Sequence, residues 1–138
     1  KTASMNSTTS HSENPNRKAL AYSFLYLALA IALGALGAHW LKTRISINAL
    51  EAYKTGVLYH LVIALFIICT NNILKNKFRK IVYLGSAFFS GSLYIAAFLE
   101  AFEIGVPTLV RIITPIGGII LIMAIVFNGI NLLTANNS

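Results

Sequence analysis

Four apolar runs of at least 18 residues, separated by short polar connections, predict an all-α integral membrane protein, an up-down-up-down bundle of four transmembrane helices. Composition points the same way: 57% of residues are hydrophobic and only 11% charged, whereas soluble domains carry about 25% charged residues. Each run also holds small residues at helical spacing. Lipid tails are as apolar as leucine, so helices in a bilayer associate by close backbone approach and need such residues at their contacts. No reaction can be read from the chain.

The elements follow in order. Residues 1–18 read as a disordered tail, because their Ser, Thr and Asn side chains cannot bury enough apolar surface to offset ordering. Met5 within this tail is a candidate start residue. The membrane domain spans residues 19–134. Its first helix, residues 19–41, crosses about 30 Å of hydrocarbon and is too long for a signal-peptide core. In its ALAIALGALGAHWL stretch Ala30, Gly34 and Ala38 recur every fourth position, a flat strip ended by His39. The second helix is expected over residues 49–74, with Asn48 and Glu51 spaced as a cap. Its Gly56, His60 and Ala64 share a face. KNKFRK, residues 75–80, reads as a tight basic turn. On the third helix, residues 80–100, Ser86, Ser90 and Tyr94 share a face with Gly91 beside it. Gly105 and Pro107 mark a loop. The fourth helix is expected over residues 115–133, capped by Thr114 and opened by Pro115, with Gly117 and Gly118 packing near its start. The alternative is one longer helix from Thr108, kinked at Pro115. Residues 135–138 form a short polar tail.

The formal net charge of +7 sits in short flanks beside the apolar runs. No basic face interleaved with aromatics appears, so the charge reports membrane orientation and not a nucleic-acid partner. Arg17, Lys18, Lys75, Lys77, Arg79 and Lys80 lie on one side, and Lys42, Arg44, Lys54 and Arg111 on the other. The bias places both termini in the cytoplasm. Cys69 is the single cysteine, which excludes an intramolecular disulfide.

Counting depth at about 1.5 Å per residue from the ends of the apolar runs gathers five side chains in the outer third of the bundle. They are His39, Glu51, His60, Tyr94 and Thr114, with His60 one turn below the surface. His39 and His60 supply only two ligands for a metal or haem, with no third at a recognised spacing, so neither cofactor is expected. A hydrogen-bonded structural histidine at position 60, with Tyr94 or the backbone near Thr114 as partner, is favoured. The competing reading is a proton or solute site, since ionisable groups inside membranes are often functional. Ser90 has no histidine at catalytic spacing, and Gly117-Gly118 lacks the lysine of a phosphate loop.

GALGAHWL (residues 34–41), LEAYKTGVLYH (50–60), FSGSLY (89–94) and TPIGG (114–118) together resemble the small membrane-protein family catalogued as domain of unknown function 423, whose mitochondrial relatives include transmembrane protein 256. The resemblance covers residues 19–133 and implies four helices in a bacterial inner membrane, or the mitochondrial one in a eukaryote. It implies no biochemical activity. In one respect the chain departs from the pattern: His60 stands at a glutamine-like position and Ile63 at a histidine-like one. Two function classes follow. The leading one is a non-catalytic membrane protein acting through its helix faces, with the lipid bilayer, other membrane-protein subunits or a second copy as partners. The other is a binder or transporter of a small molecule, ion or proton at the polar cluster.

Overall fold

A computed structural model describes residues 15–135 of the chain. Most of the expected N-terminal tail, and the last three residues, lie outside the described part. Four helices follow one another: α1 Pro15–His39, α2 Ile47–Cys69, α3 Asn76–Ala101 and α4 Thr108–Ala135. A single 3-10 turn, Leu41–Thr43, interrupts the α1–α2 connection. All four helices are long and apolar enough to cross a membrane. Large side chains such as Leu25, Ile31, Leu58, Ile95, Ile119 and Leu133 stand exposed along them, as a lipid-facing surface requires.

Neighbouring helices are antiparallel. Gly34 and Gly37 of α1 lie against Val57 and Tyr53 of α2, Gly56 of α2 lies against Leu93 and Tyr94 of α3, and Gly85 of α3 lies against Leu121 of α4. In each pair, rising numbers on one helix meet falling numbers on the next. α1 packs on α2, α2 on α3 and α3 on α4, while the backbones of α1 and α4 stay apart.

Several boundaries differ from the expected ones. α1 starts at Pro15 instead of residue 19, because the first helical position needs no N–H partner and suits proline. α2 is opened two residues early by Ser46, whose hydroxyl accepts from Ala49 N at 3.3 Å, so Asn48 does not cap it. The stretch expected as a basic turn is instead the first turn of α3, and the chain reverses at residues 70–75. Arg79 folds inward there: it is 5% exposed, and its guanidinium donates to Asn71 Oδ1 at 3.0 Å and Leu74 O at 3.2 Å. α4 is the longer alternative, with Pro115 inside it. Thr114 therefore does not cap; its hydroxyl bonds back to Val110 O at 3.4 Å and pairs with Ser92 Oγ of α3 at 2.7 Å.

The packing strip of α1 also differs. Ser23, Ala30 and Gly37 are buried, whereas Ala38 is exposed. A four-residue step drifts around the helix, and two steps leave the contact face, while a seven-residue step stays on it. Gly37 is needed at its position, since a Cβ there would strike the Tyr53 ring, at 2.9 Å from Cδ1. On α3 the open position is Gly91, with nothing within 4 Å of a Cβ built there.

Candidate functional site: a buried polar layer between two apolar cores

Two apolar clusters fill the bundle. Ile63, Ile67, Val82, Leu121 and Ala124 form one near the α2–α3 turn. Leu41, Tyr53, Tyr94 and Ala97 form the other, near the α1–α2 connection. A layer of polar side chains from three helices links them, sharing Tyr94 with the second cluster and packing on the first through Tyr83. Position on the helix dictates this: Ser23 and Tyr26 on α1, His60 on α2, and Tyr83, Ser86, Ser90 and Tyr94 on α3 recur at steps of three or four, so each set faces inward as a stripe.

His60 is the centre of the layer. It is 3% exposed, and its Nδ1 lies 3.1 Å from Tyr94 Oη. The Tyr26 ring covers it with centroids 4.0 Å apart. Tyr26 in turn donates to Ser86 Oγ at 2.7 Å, and its ring meets the edge of Tyr83, whose hydroxyl pairs with Ser23 Oγ at 2.9 Å. At the other end the Tyr53 ring lies 5.1 Å from that of Tyr94, and Tyr53 Oη donates to Leu33 O at 2.6 Å. The backbones of α1 and α3 do not approach closely, so side chains join these two helices, the tyrosine–serine pairs and the Tyr26–Tyr83 ring contact among them.

Two buried atoms of the layer, His60 Nε2 and Ser90 Oγ, lack a partner at good hydrogen-bond geometry, with the Tyr26 backbone close to the imidazole. The α2–α3 register that sets Gly56 against Leu93 and Tyr94 brings Ser90 to the level of His60. The layer thus has unused hydrogen-bonding capacity at its middle, where an unsatisfied polar group costs about 1–3 kcal/mol.

Of the five side chains expected in one outer cluster, the structure joins only His60 and Tyr94. His39 is exposed at the end of α1, Glu51 is exposed on α2, and Thr114 is bonded to Ser92 on the other side of α3. Nor is His60 near the surface. α2 runs from Ile47, so His60 lies about 20 Å from one end of the helix and about 14 Å from the other, near its middle. The depth count from Gly56, where the uninterrupted apolar run begins, leaves out the first nine residues of the helix. Tyr26, Ser23 and Tyr83 were absent from the expected set. Their signal is the pair of hydroxyls three residues apart, Ser23 and Tyr26, within the apolar run of α1, matched by Tyr83 and Ser86 at the same spacing on α3. His39 and His60 lie far apart along their helices, and no group of three His, Cys, Asp or Glu side chains that could hold a metal comes together among the described residues. Ile63, at the histidine-like position, is part of the apolar core.

Comparison with known proteins adds the following. Residues 33–118 match the family described as "Protein of unknown function (DUF423)". The chain is 35% identical to a UPF0382 membrane protein of Staphylococcus saprophyticus, over 69% of this chain and 79% of the relative. It is 34% identical to the UPF0382 membrane protein YwdK of Bacillus subtilis, over 70% of this chain and 80% of that one. A UPF0382 membrane protein of Staphylococcus haemolyticus is 35% identical over 68% of this chain and 77% of its own. No solved structure matches. The matched stretch includes His60 and Tyr94; Ser23 and Tyr26 lie before it.

Proposed function

The chain belongs to the DUF423 family of membrane proteins, and from that premise we propose that it is a non-catalytic protein of the bacterial cytoplasmic membrane that binds a proton inside its bundle, at His60. One observation carries the reading: an imidazole buried midway along a membrane-spanning helix is bonded to Tyr94 through one nitrogen, while its other nitrogen is paired with no side chain. Ionisable side chains at that depth are rare and mark proton relays and ligand sites. Neutral histidine accepts a proton at one ring nitrogen, and the other fixes its orientation through its hydrogen bond. Tyr94 serves as that fixing partner, and the Tyr26 ring offers the resulting cation a π-face at 4.0 Å.

Nitrogen-15 spectra of histidine-labelled protein in detergent micelles test this. The chain has three histidines, so His60→Asn identifies the signal of interest. The expected result is reversible uptake of a proton at Nε2 over a pH range in which the helical signal is constant. A His60 resonance that stays unchanged across that range overturns the reading.

A second reading has its own observation. Gly91 and Gly129 have nothing within 4 Å of a Cβ position, and Ala38 is exposed. Small outward-facing residues let another helix approach closely, which suits an accessory subunit or a homo-oligomer. Disulfide crosslinking through Gly129→Cys in native membranes tests it: a crosslinked adduct supports this reading, and recovery of monomer alone argues against contact there.

A further inference from the structure

A groove of about 430 Å³ opens along the α3–α4 face at the end of the bundle that carries the α2–α3 turn. Its apolar wall comes from Phe78 and Ile81 of α3 and from Ile119, Met123 and Phe127 of α4. The three α4 residues recur every fourth position, so the wall runs about 12 Å along the helix, most of the depth of one leaflet. The Phe78 and Phe127 rings meet at a tilt, with centroids 5.5 Å apart, at one end. Ile119, Met123 and Phe127 are each more than half exposed, so no element of the described chain covers them.

The mouth of the groove is basic. Lys77 lines it, and Lys75 and Lys80 stand exposed on the same turn of the chain. Arg79, between them, is turned inward and bonded to the α2–α3 turn. The carboxylates among the described residues, Glu51, Glu100 and Glu103, all belong to the opposite end of the bundle. Among the described residues the lysines therefore meet no carboxylate, and the groove joins an acyl-sized apolar channel to a cationic rim.

We infer that this groove is a binding site for one anionic phospholipid, with a tail along Ile119, Met123 and Phe127 and the phosphate at Lys77. Charge complementarity selects the occupant. A partner helix would need the apolar wall but not the lysines, and a soluble phosphate would need the lysines but not the wall. Basic pockets between membrane helices at the headgroup level recognise anionic lipids in this way.

Thermal unfolding of the full chain in dodecyl maltoside, followed by helical circular dichroism, tests the inference with dioleoyl phosphatidylglycerol against dioleoyl phosphatidylcholine. The glycerol lipid is expected to raise the midpoint saturably and the choline lipid to leave it unmoved. Lys77→Gln, at an exposed position, should raise the half-saturating concentration about fivefold, the effect of one basic residue near a headgroup. Met123→Trp and Ile119→Phe, which narrow the groove, should weaken the response while leaving Lys77 in place. Equal stabilisation by both lipids overturns the site, since any tail then suffices. A glycerol-lipid response that survives both groove variants also overturns it, because the lysines alone then account for the effect.

Discussion

The glycines at positions 117 and 118 are adjacent on α4, yet they make opposite predictions. A Cβ on Gly117 would meet α3 backbone: Phe88 C and Phe89 Cα at 2.8 Å, and Phe89 N closer still. Backbone cannot swing aside as a side chain can, so Gly117→Ala forces α4 away from α3 by roughly 0.5–1 Å, forfeiting a quarter to a half of each affected contact. Overpacking costs about 1–3 kcal/mol, and a clash with unyielding backbone puts this case in the upper part of that range, about 2–3 kcal/mol. Against it stands the better helix propensity of alanine, about 1 kcal/mol. The clash wins, and the net loss should be about 1–2 kcal/mol, a five- to thirtyfold fall in the folded-to-unfolded ratio. A Cβ on Gly118 would meet only the Phe89 ring at 3.5 Å, which is ordinary contact, so Gly118→Ala keeps the propensity gain and should be neutral or slightly stabilising. Unfolding by SDS in mixed micelles, read by circular dichroism, measures both. A Gly117→Ala protein as stable as wild type refutes the close α3–α4 approach, and an equal loss in Gly118→Ala refutes the distinction between the two faces.

Three further outcomes can be measured. Arg79→Ala strips Leu74 O and Asn71 Oδ1 of a charged donor in a buried turn and should cost about 2–3 kcal/mol in the same titration; Arg79→Lys, unable to supply the fork, should recover only part of it. A double-mutant cycle of His60→Phe with Tyr94→Phe should return a coupling near the ~0.6 kcal/mol average for interhelical hydrogen bonds in membranes, and His60→Asn should cost less than His60→Phe; zero coupling removes the hydrogen bond from the account. In a Cys69→Ser background, an impermeant thiol reagent added to intact cells should label Arg44→Cys and spare Asn76→Cys, as the basic bias requires, and the reverse pattern inverts the orientation.

The fold was legible because its determinants are local. Span length and short connections leave few arrangements for four lipid-embedded helices. Boundaries were less legible, because an apolar run marks where lipid is and not where hydrogen bonding begins. Ser46, outside the second run, caps α2 and is held in place by its backbone N–H, which donates to Glu100 at 2.7 Å across the bundle. Likewise, Asn76–Lys80 is helical because Arg79 can satisfy the turn before it, a contact no local pattern shows.

The same confusion of run with helix displaced the site. A histidine among polar neighbours at the head of a run looks interfacial when depth is counted from the first uninterrupted apolar residue. Once α2 is known to include Ile47 to Lys54, His60 lies near the middle of the helix, more than two turns further from its start than a count from Gly56 gives. Burial changes the physics of the group: at the surface water satisfies a free ring nitrogen, whereas inside the bundle, where His60 is 3% exposed, only protein atoms or a captured molecule can. His60 Nε2 and Ser90 Oγ lack a protein partner at good hydrogen-bond geometry there. The cost is tolerated in a bundle whose other polar atoms at this level are paired across helices, from Ser23–Tyr83 through Tyr26–Ser86 to His60–Tyr94. Three helices thus hold one incompletely satisfied imidazole in a fixed place, between two apolar cores that keep the layer from sliding. If the layer served helix packing alone, an apolar side chain of similar volume at position 60 would relieve the unpaired nitrogen at the loss of one weak hydrogen bond. What such a replacement cannot supply is a nitrogen able to accept a proton, which is why His60→Phe, though its stability cost should be modest, is the variant expected to abolish proton binding.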